Sequence, residues 1–397
     1  MSSVSDMFIM RFNRTLPIRV IITISKIIGY LAPFQNRSGL FFFFPFCHVG
    51  GAEKVHADIV ECFAKKKPWV FFTKKSANEA FRRLFAGGRT IDCWILCKYG
   101  YPFGIGILAG FINRHPNAIV FGANSLVYYL LLPYLRADIR KVDLIHAFGG
   151  GAEEFSLPVV GKLDARVVIT AKTREELTRQ YQNKGLGFEY AKRIALIENR
   201  VDIPAELPRK NWLGRLSVLY VGRATAEKRI HLLGSIASVC AKLGLPVDIT
   251  IAGAIPPHLV GNEVVKLCRF TGEIQDQSEL NRLYSAAHLL LLTSNREGFP
   301  LVIMEAMAHG VTPVTTAVGG IPEHVRHGEN GWLMTNSDDE AQIVEDACSF
   351  ILMACSDRRL LEKMSRLAYE YAADHFSSQR FCQSYRSVLS QGDDSHA

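Results

Sequence analysis

Short runs of wholly apolar residues, each followed by an amphipathic segment, recur along nearly the whole chain, and this alternation constrains the fold more than any other feature. Residues 40–46, 68–73, 90–96, 118–121, 142–147, 165–170 and 192–198 read as strands, with a first helix over 52–65. A strand that is apolar on both sides cannot leave one face in water, so such strands belong to a parallel sheet covered by helices on both faces. A polar, proline-containing stretch at 204–213 then interrupts the pattern, and it restarts. Strands are expected at 216–222, 247–252, 268–271, 289–293 and 312–316, with helices over 225–243, 278–286 and 301–309. The expected fold is α/β with two doubly wound, Rossmann-like parallel-sheet domains. Their limits fall at 39–205 and 206–375, after a leader at 1–38 and before a last segment at 376–397. Ligands of such sheets bind beyond the C-terminal strand ends, so the natural site is a cleft between the domains, and the loops after strands carry the functional information.

Charge narrows the partners. Residues 1–205 hold 28 Lys and Arg against 16 Asp and Glu, a balance of +12, while the rest of the chain is −4. The N-terminal half therefore seeks an anion. Nucleic acid is disfavoured, because the cations lie among apolar strands without a basic helix or an aromatic platform. Nine scattered cysteines without C-x-x-C spacing predict reduced thiols in a cytoplasmic compartment rather than a disulfide framework. Cys93 and Cys97 lack a neighbouring Cys/His pair to complete a zinc site, so no metal is expected there. In the leader, Thr15, Arg19, Thr23, Lys26 and Tyr30 form one helical stripe, and Ile18, Ile21, Ile22, Ile24, Ile28 and Leu31 fill the other side. Two cations near the middle count against a spanning helix. Two readings stand side by side: a helix lying in the plane of an anionic membrane surface, and a helix packed on its own domain.

Four constellations carry chemistry. The first is S-N-R-E-G-F-P-L-V-I-M-E over 294–305, where an apolar strand runs through a tight turn of Gly298, Phe299 and Pro300 into a helix. The free amides of the first helical turn, including those of Leu301 and Val302, suit a phosphate. Glu297 and Glu305 flank that anion site, and two carboxylates beside a phosphate make sense when they engage sugar hydroxyls. The second is Gly222-Arg223 with Lys228 five positions on: a planar multidentate cation and a mobile one, able to neutralise a leaving diphosphate. No D-x-D pattern exists to hold Mg²⁺, so metal independence is expected. The third is Gly50-Gly51 ahead of Ala52-Glu53, where adjacent glycines let backbone approach a ligand. The fourth is His146 at the end of an apolar strand, before Gly149-Gly150-Gly151. This histidine either meets the reacting sugar or acceptor or serves as a hydrogen-bonded structural residue, and without a G-x-S-x-G elbow a hydrolase reading is weak. Gly104-Ile105-Gly106 with Gly110 reads as helix packing, since its spacing is wrong for a dinucleotide fingerprint.

Taken together, G-G-A-E at 50–53, V-G-R-x-x-x-E-K at 221–228, the E-x7-E of Glu297 and Glu305 and V-G-G-I-P-E-x-V-x-x-G-x-N-G at 318–331 resemble the family-4 retaining glycosyltransferases of GT-B fold, over about 40–390. The resemblance implies sugar transfer from a nucleotide-diphosphate sugar, without metal or other cofactor and with retention of configuration. It places Arg223 and Lys228 on the diphosphate, Glu305 on the ribose, and Glu297 with the Gly298–Pro300 turn on the donor sugar. Gly50 and Gly51 would approach the phosphates from the opposite domain, His146 would lie near the transferred sugar, and 376–389 would be the helix crossing back to the N-terminal domain. The charge split in turn suggests an acceptor on an anionic membrane facing the basic half, so the expected acceptor is a glycan or lipid-linked glycan, as in cell-surface polysaccharide or lipopolysaccharide assembly, and the expected setting is a cytoplasmic enzyme peripheral on the membrane. Two rivals are an epimerase acting on nucleotide sugars and a non-catalytic binding protein. The A-G-A-I-P-P turn at 252–257, and Arg200 where the family commonly has glycine, depart from the pattern.

Overall fold

The computed structural model describes residues 2–31, 38–261 and 265–390, with side chains described from residue 6. The chain forms two compact units: Met1–Glu198 with Phe381–Ala397, and Asn199–Arg380.

The first unit is built on seven parallel strands: β1 Leu40–Phe44, β2 Trp69–Phe72, β3 Arg89–Asp92, β4 Ile119–Ala123, β5 Arg140–Ile145, β6 Ala165–Val168 and β7 Ile194–Leu196. Their order is β3-β2-β1-β4-β5-β6-β7. β1 reads L-F-F-F-F and is buried throughout, which only a sheet covered on both faces permits. On one side Phe43 stacks on Phe71 at 4.8 Å; on the other Phe42 meets Phe121 edge-on at 5.6 Å. The strand order reverses between β1 and β4, the position at which sheets of this kind bind their ligands. The second unit repeats the plan with six parallel strands: β8 Leu216–Val221, β9 Val247–Ala252, β10 Cys268–Gly272, β11 Leu289–Leu292, β12 Thr312–Thr316 and β13 Trp332–Met334, ordered β10-β9-β8-β11-β12-β13. Its reversal lies between β8 and β11. Both strands end in the loops the sequence marks as functional.

Several expectations need correction. The strand expected at 90–96 stops at Asp92, and Trp94–Tyr99 coils into a helix, because a short apolar run does not distinguish strand from helix. The helix expected over 225–243 begins only at His231. Ala226–Lys228 form a 3-10 turn, and Arg229 takes a left-handed φ of 46° because its guanidinium is drawn inward to three carbonyls. β13 was not foreseen: three residues after Asn330-Gly331 are too short to stand out from a loop. Cys62 and Cys382, 320 residues apart, form a disulfide, against the expectation of thiols throughout; the other seven cysteines are free. No spacing rule could pair them, since the pairing follows from docking of the helix Ser378–Leu389 in the first unit, where Arg386 also donates to the Cys62 carbonyl.

The leader forms two helices, α1 Ser2–Phe12 and α2 Leu16–Leu31. The later helices of this unit include α3 Gly51–Glu61, α4 Trp94–Tyr99 and α5 Phe103–Asn113. α2 buries Ile18, Ile22, Ser25 and Gly29, and packs on α5 through glycine. A Cβ on Gly106 would stand 1.9 Å from Ser25 Oγ, and one on Gly110 2.0 Å from the Lys26 carbonyl. The G-x-G-x-x-x-G stretch is therefore a helix contact, as its spacing indicated.

Candidate functional site

In the second unit the loops leaving β8 and β11 are stitched together before any ligand is considered. Arg229, buried, donates from Nε to Thr293 O at 2.7 Å, from Nη1 to Ser337 O at 2.6 Å and from Nη2 to Ser294 O at 3.0 Å. The Asn295 amide donates to Glu227 O at 2.9 Å, and Thr293 Oγ1 to Lys228 O at 3.0 Å. This lattice sets Lys228 against Glu297, and the ammonium donates to Oε1 of the carboxylate. Both side chains are half-buried, so water screens the pair less than it would a surface one, and each is held in a single place. Arg223, also expected at this site, is exposed at the β8 end, one residue past Gly222.

The turn of Gly298, Phe299 and Pro300 is fixed from below. Phe299 is buried and stacks on His324 at 4.1 Å. The Gly320 amide donates to Gly298 O at 2.7 Å. Gly319 has φ 60°, and a Cβ there would stand 1.9 Å from Glu297 O, so only glycine permits this approach. The helix Leu301–Ala308 follows, with Pro300 as its cap residue and no side chain bonded to the amides of its first turn, to which Leu301 and Val302 belong. Those amides and the helix dipole present positive potential beside the Lys228–Glu297 pair. On the helix, Glu305 accepts from the hydroxyl of the buried Tyr284 at 2.9 Å. Burial and the Glu305 charge push that phenol well up, so it stays a donor and holds one carboxylate oxygen.

Three buried hydroxyls around these loops find no protein partner: Tyr220 at the end of β8, Thr225 before the 3-10 turn and Ser294 after β11. Tyr220 lies close under Gly222, where a Cβ would stand 2.6 Å from the phenol oxygen. Burial, with the charge of Glu297, raises its pKa, so it too remains a donor. Unpartnered buried hydroxyls are costly, and a cluster of them at strand ends suits a polar ligand. Sequence reasoning passed over all three and Arg229. The signal was an arginine directly after Lys228 and polar residues closing two apolar strands.

In the first unit, the loop after β1 and the N-terminus of α3 bring together Gly50, Gly51, His48, Glu53 and His56. Gly50 is extended, and Glu53 folds over it, with Oε2 2.1 Å from where a Cβ would lie. Glu53 is buried and stands 3.6 Å from His48 Nε2. His146, expected from its place after β5, is half-buried and shares a 2.9 Å Nε2···Nε2 hydrogen bond with His56. His56 is wholly buried, flat against Phe44 at 4.3 Å. Burial lowers both pKa values, that of His146 to about 4, so the pair is neutral and shares one proton. His56 Nδ1 has no partner. Leaving an acceptor rather than an N–H donor unpaired there is the lesser cost, so His56 Nε2–H donates and His146 carries its own proton on Nδ1. The strand end beneath His146 is held by a buried pair: Asp143 accepts from Arg166 at 2.6 Å and from Tyr129 at 2.8 Å, while Arg166 also donates to Ser156 and Tyr181. His56 was missed; the signal was a histidine at a core position of an otherwise apolar helix face.

Among the described residues no group of three or more His, Cys, Asp or Glu is arranged to hold a metal ion. Residues 215–352 match the family model of glycosyl transferases group 1. The chain is 33% identical over 112 residues to N-acetyl-alpha-D-glucosaminyl L-malate synthase of Bacillus anthracis, covering 28% of each. It is 28% identical over 277 residues to the sulfoquinovosyl transferase SQD2 of Arabidopsis thaliana, covering 64% of this chain and 51% of the relative. The matches thus span between 28% and 51% of these relatives' lengths. In fold the chain is similar to Anabaena Alr3699/HepE, solved in complex with UDP, at TM-score 0.70 and 18% identity, covering 88% of this chain and 99% of that one. The same Anabaena protein is also solved with UDP-glucose. At that identity the likeness establishes the fold, which is GT-B.

Proposed function

From a chain with the two Rossmann-like units of GT-B glycosyltransferases and a group 1 match over its second unit, we propose a retaining, metal-independent glycosyltransferase. It moves a hexose-type sugar from a nucleotide-diphosphate sugar to a glycan or lipid-linked acceptor, in assembly of a cell-surface polysaccharide or glycolipid. The observation that carries this reading is the Lys228–Glu297 pair beside an uncapped helix N-terminus and three unpartnered hydroxyls, all at the ends of β8 and β11. A UDP-activated sugar is the donor class favoured, given the UDP and UDP-glucose complexes of the structural relative.

Departure of the nucleotide leaves negative charge on the diphosphate. Arg223, Lys228 and the amides of Leu301 and Val302 bind that charge more strongly as it develops, which lowers the barrier. Glu297, with the turn beneath it, positions the donor sugar, and Glu305, held by the Tyr284 hydroxyl, is assigned to the ribose. His146, neutral, offers Nδ1–H to the sugar or acceptor without competing for the diphosphate as a cation would. The acceptor oxygen attacks the anomeric carbon from the face the nucleotide leaves as the sugar–phosphate bond breaks, its hydroxyl proton passes to the departing phosphate, and the new bond keeps the donor's configuration.

The test is turnover by the full chain over a panel of UDP-, GDP- and ADP-sugars, with the product anomer read by NMR. Lys228→Ala and Glu297→Ala should each cost about 10²- to 10³-fold in kcat with the fold intact by circular dichroism. Near-normal rates in both variants, or an inverted product, would overturn the assignment.

A further inference from the structure

α2 packs the wrong way round for an ordinary surface helix. Its buried residues, Ile18, Ile22, Ser25 and Gly29, two of them small, occupy a narrow stripe against α5. The wider apolar arc faces outward. Leu16, Val20, Ile21, Ile24, Ile27, Ile28 and Leu31 are all exposed, Ile24 by 60%, Ile27 by 62% and Leu31 by 73%. At 3.6 residues per turn these seven occupy one continuous arc of about 140°. Arg19 and Thr23 lie along one border of it, exposed, with Lys26 half-buried beside them. Other apolar side chains near the start of α2 are exposed as well. Phe8 and Phe12 of α1 are exposed and stack on each other at 6.2 Å. Tyr101 donates to Asn13 at 3.2 Å, bringing the α4–α5 turn, with exposed Tyr99 and Phe103, to the Leu16 end.

The segments that build this face carry charge of one sign. No Asp or Glu occurs from residue 7 to 52 or from 93 to 137, the two segments that supply α1, α2, α4 and α5 after Asp6, whereas Arg11, Arg14, Arg19, Lys26, Lys98 and Arg114 do; Arg136 is paired with Asp138. A second copy docked here would set cations on cations. An anionic bilayer meets both demands, taking isoleucines into the acyl boundary and arginines at the headgroups. α2 has 16 residues, and no described helix is long and apolar enough to cross a membrane, so the helix lies on the surface.

The geometry points to the outward face of α2, extended by Phe8, Phe12, Tyr99 and Phe103, as a docking surface for an anionic membrane. This deepens the lipid-linked branch of the proposed acceptor and rests on that reading only for its purpose. Binding itself is independent of turnover, so the two ideas fail separately.

The test is cosedimentation of the full chain, without sugars, with vesicles of phosphatidylcholine alone and of phosphatidylcholine mixed with phosphatidylglycerol. The protein should pellet with the anionic vesicles only. Ile24→Glu/Ile27→Glu, at positions already in solvent, should weaken binding by roughly tenfold or more with an unchanged melting curve. Arg19→Ala should weaken it about fivefold. Absence of binding to the anionic vesicles, binding indifferent to the isoleucine pair, or a dimer in sedimentation velocity that this pair dissociates would each overturn the proposal.

Discussion

The hydroxyl of Tyr220 separates a ligand site from a piece of framework. The side chain is buried, its oxygen has no protein partner, and burial with the nearby Glu297 charge keeps it protonated. A buried hydroxyl in that state costs about 1–3 kcal/mol. Tyr220→Phe removes that one oxygen and keeps the ring, so it relieves the penalty at little expense in packing. The unliganded protein should gain about 1 kcal/mol, which for a unit of this size raises its melting midpoint by about 2–4 °C. A ligand that uses the hydroxyl should lose a hydrogen bond, about 1 kcal/mol, or five- to tenfold in affinity. Thermal shift with and without the UDP-sugar panel reads both numbers on one sample, because a bound ligand raises stability by mass action. The variant should melt higher alone and respond less to ligand. A variant that melts lower, with an undiminished response, would refute the reasoning and make the hydroxyl a structural partner.

Gly319→Ala places a Cβ against Glu297 O in a left-handed residue, so it should cost about 1–3 kcal/mol by denaturant titration and lower turnover roughly tenfold or more by moving the Glu297 loop. Wild-type stability and rate would show that the two loops are not packed as described. Stability should also decline as pH falls from 6.5 to about 4. His146, His288 and His324 are each pushed down to about 4, chiefly by burial, so across that window the unfolded chain takes up protons that the folded one refuses. Above 6.5 their contribution is complete. Urea midpoints between pH 4 and 7.5 check this, and His324→Gln should flatten the decline; an equal slope in wild type and variant would count against it.

Much of the architecture was legible because it rests on local patterns. A run such as L-F-F-F-F fits a strand buried on both faces, and the recurrence of short apolar runs between amphipathic segments implied parallel sheets. The placement of Lys228, Glu297 and the Gly298–Pro300 turn just past two strands was legible for a related reason: glycine and proline directly after an apolar run mark a turn into a helix, and consecutive residues carry that signal. The rest depended on groups far apart in sequence. His56 meets His146 across 90 residues, Arg229 reaches Ser337 across 108, and Cys62 joins Cys382 across 320. Nothing local distinguishes these residues from their neighbours. The leader shows the division within one helix. Periodicity determined by itself that α2 has an apolar side and a cationic stripe, but which side meets the protein was a tertiary decision. Gly29, Gly106 and Gly110 allow the backbones of α2 and α5 to approach so closely that the narrow stripe of Ile18, Ile22, Ser25 and Gly29 wins the interior, and Ile21, Ile24, Ile27 and Ile28 are left facing out.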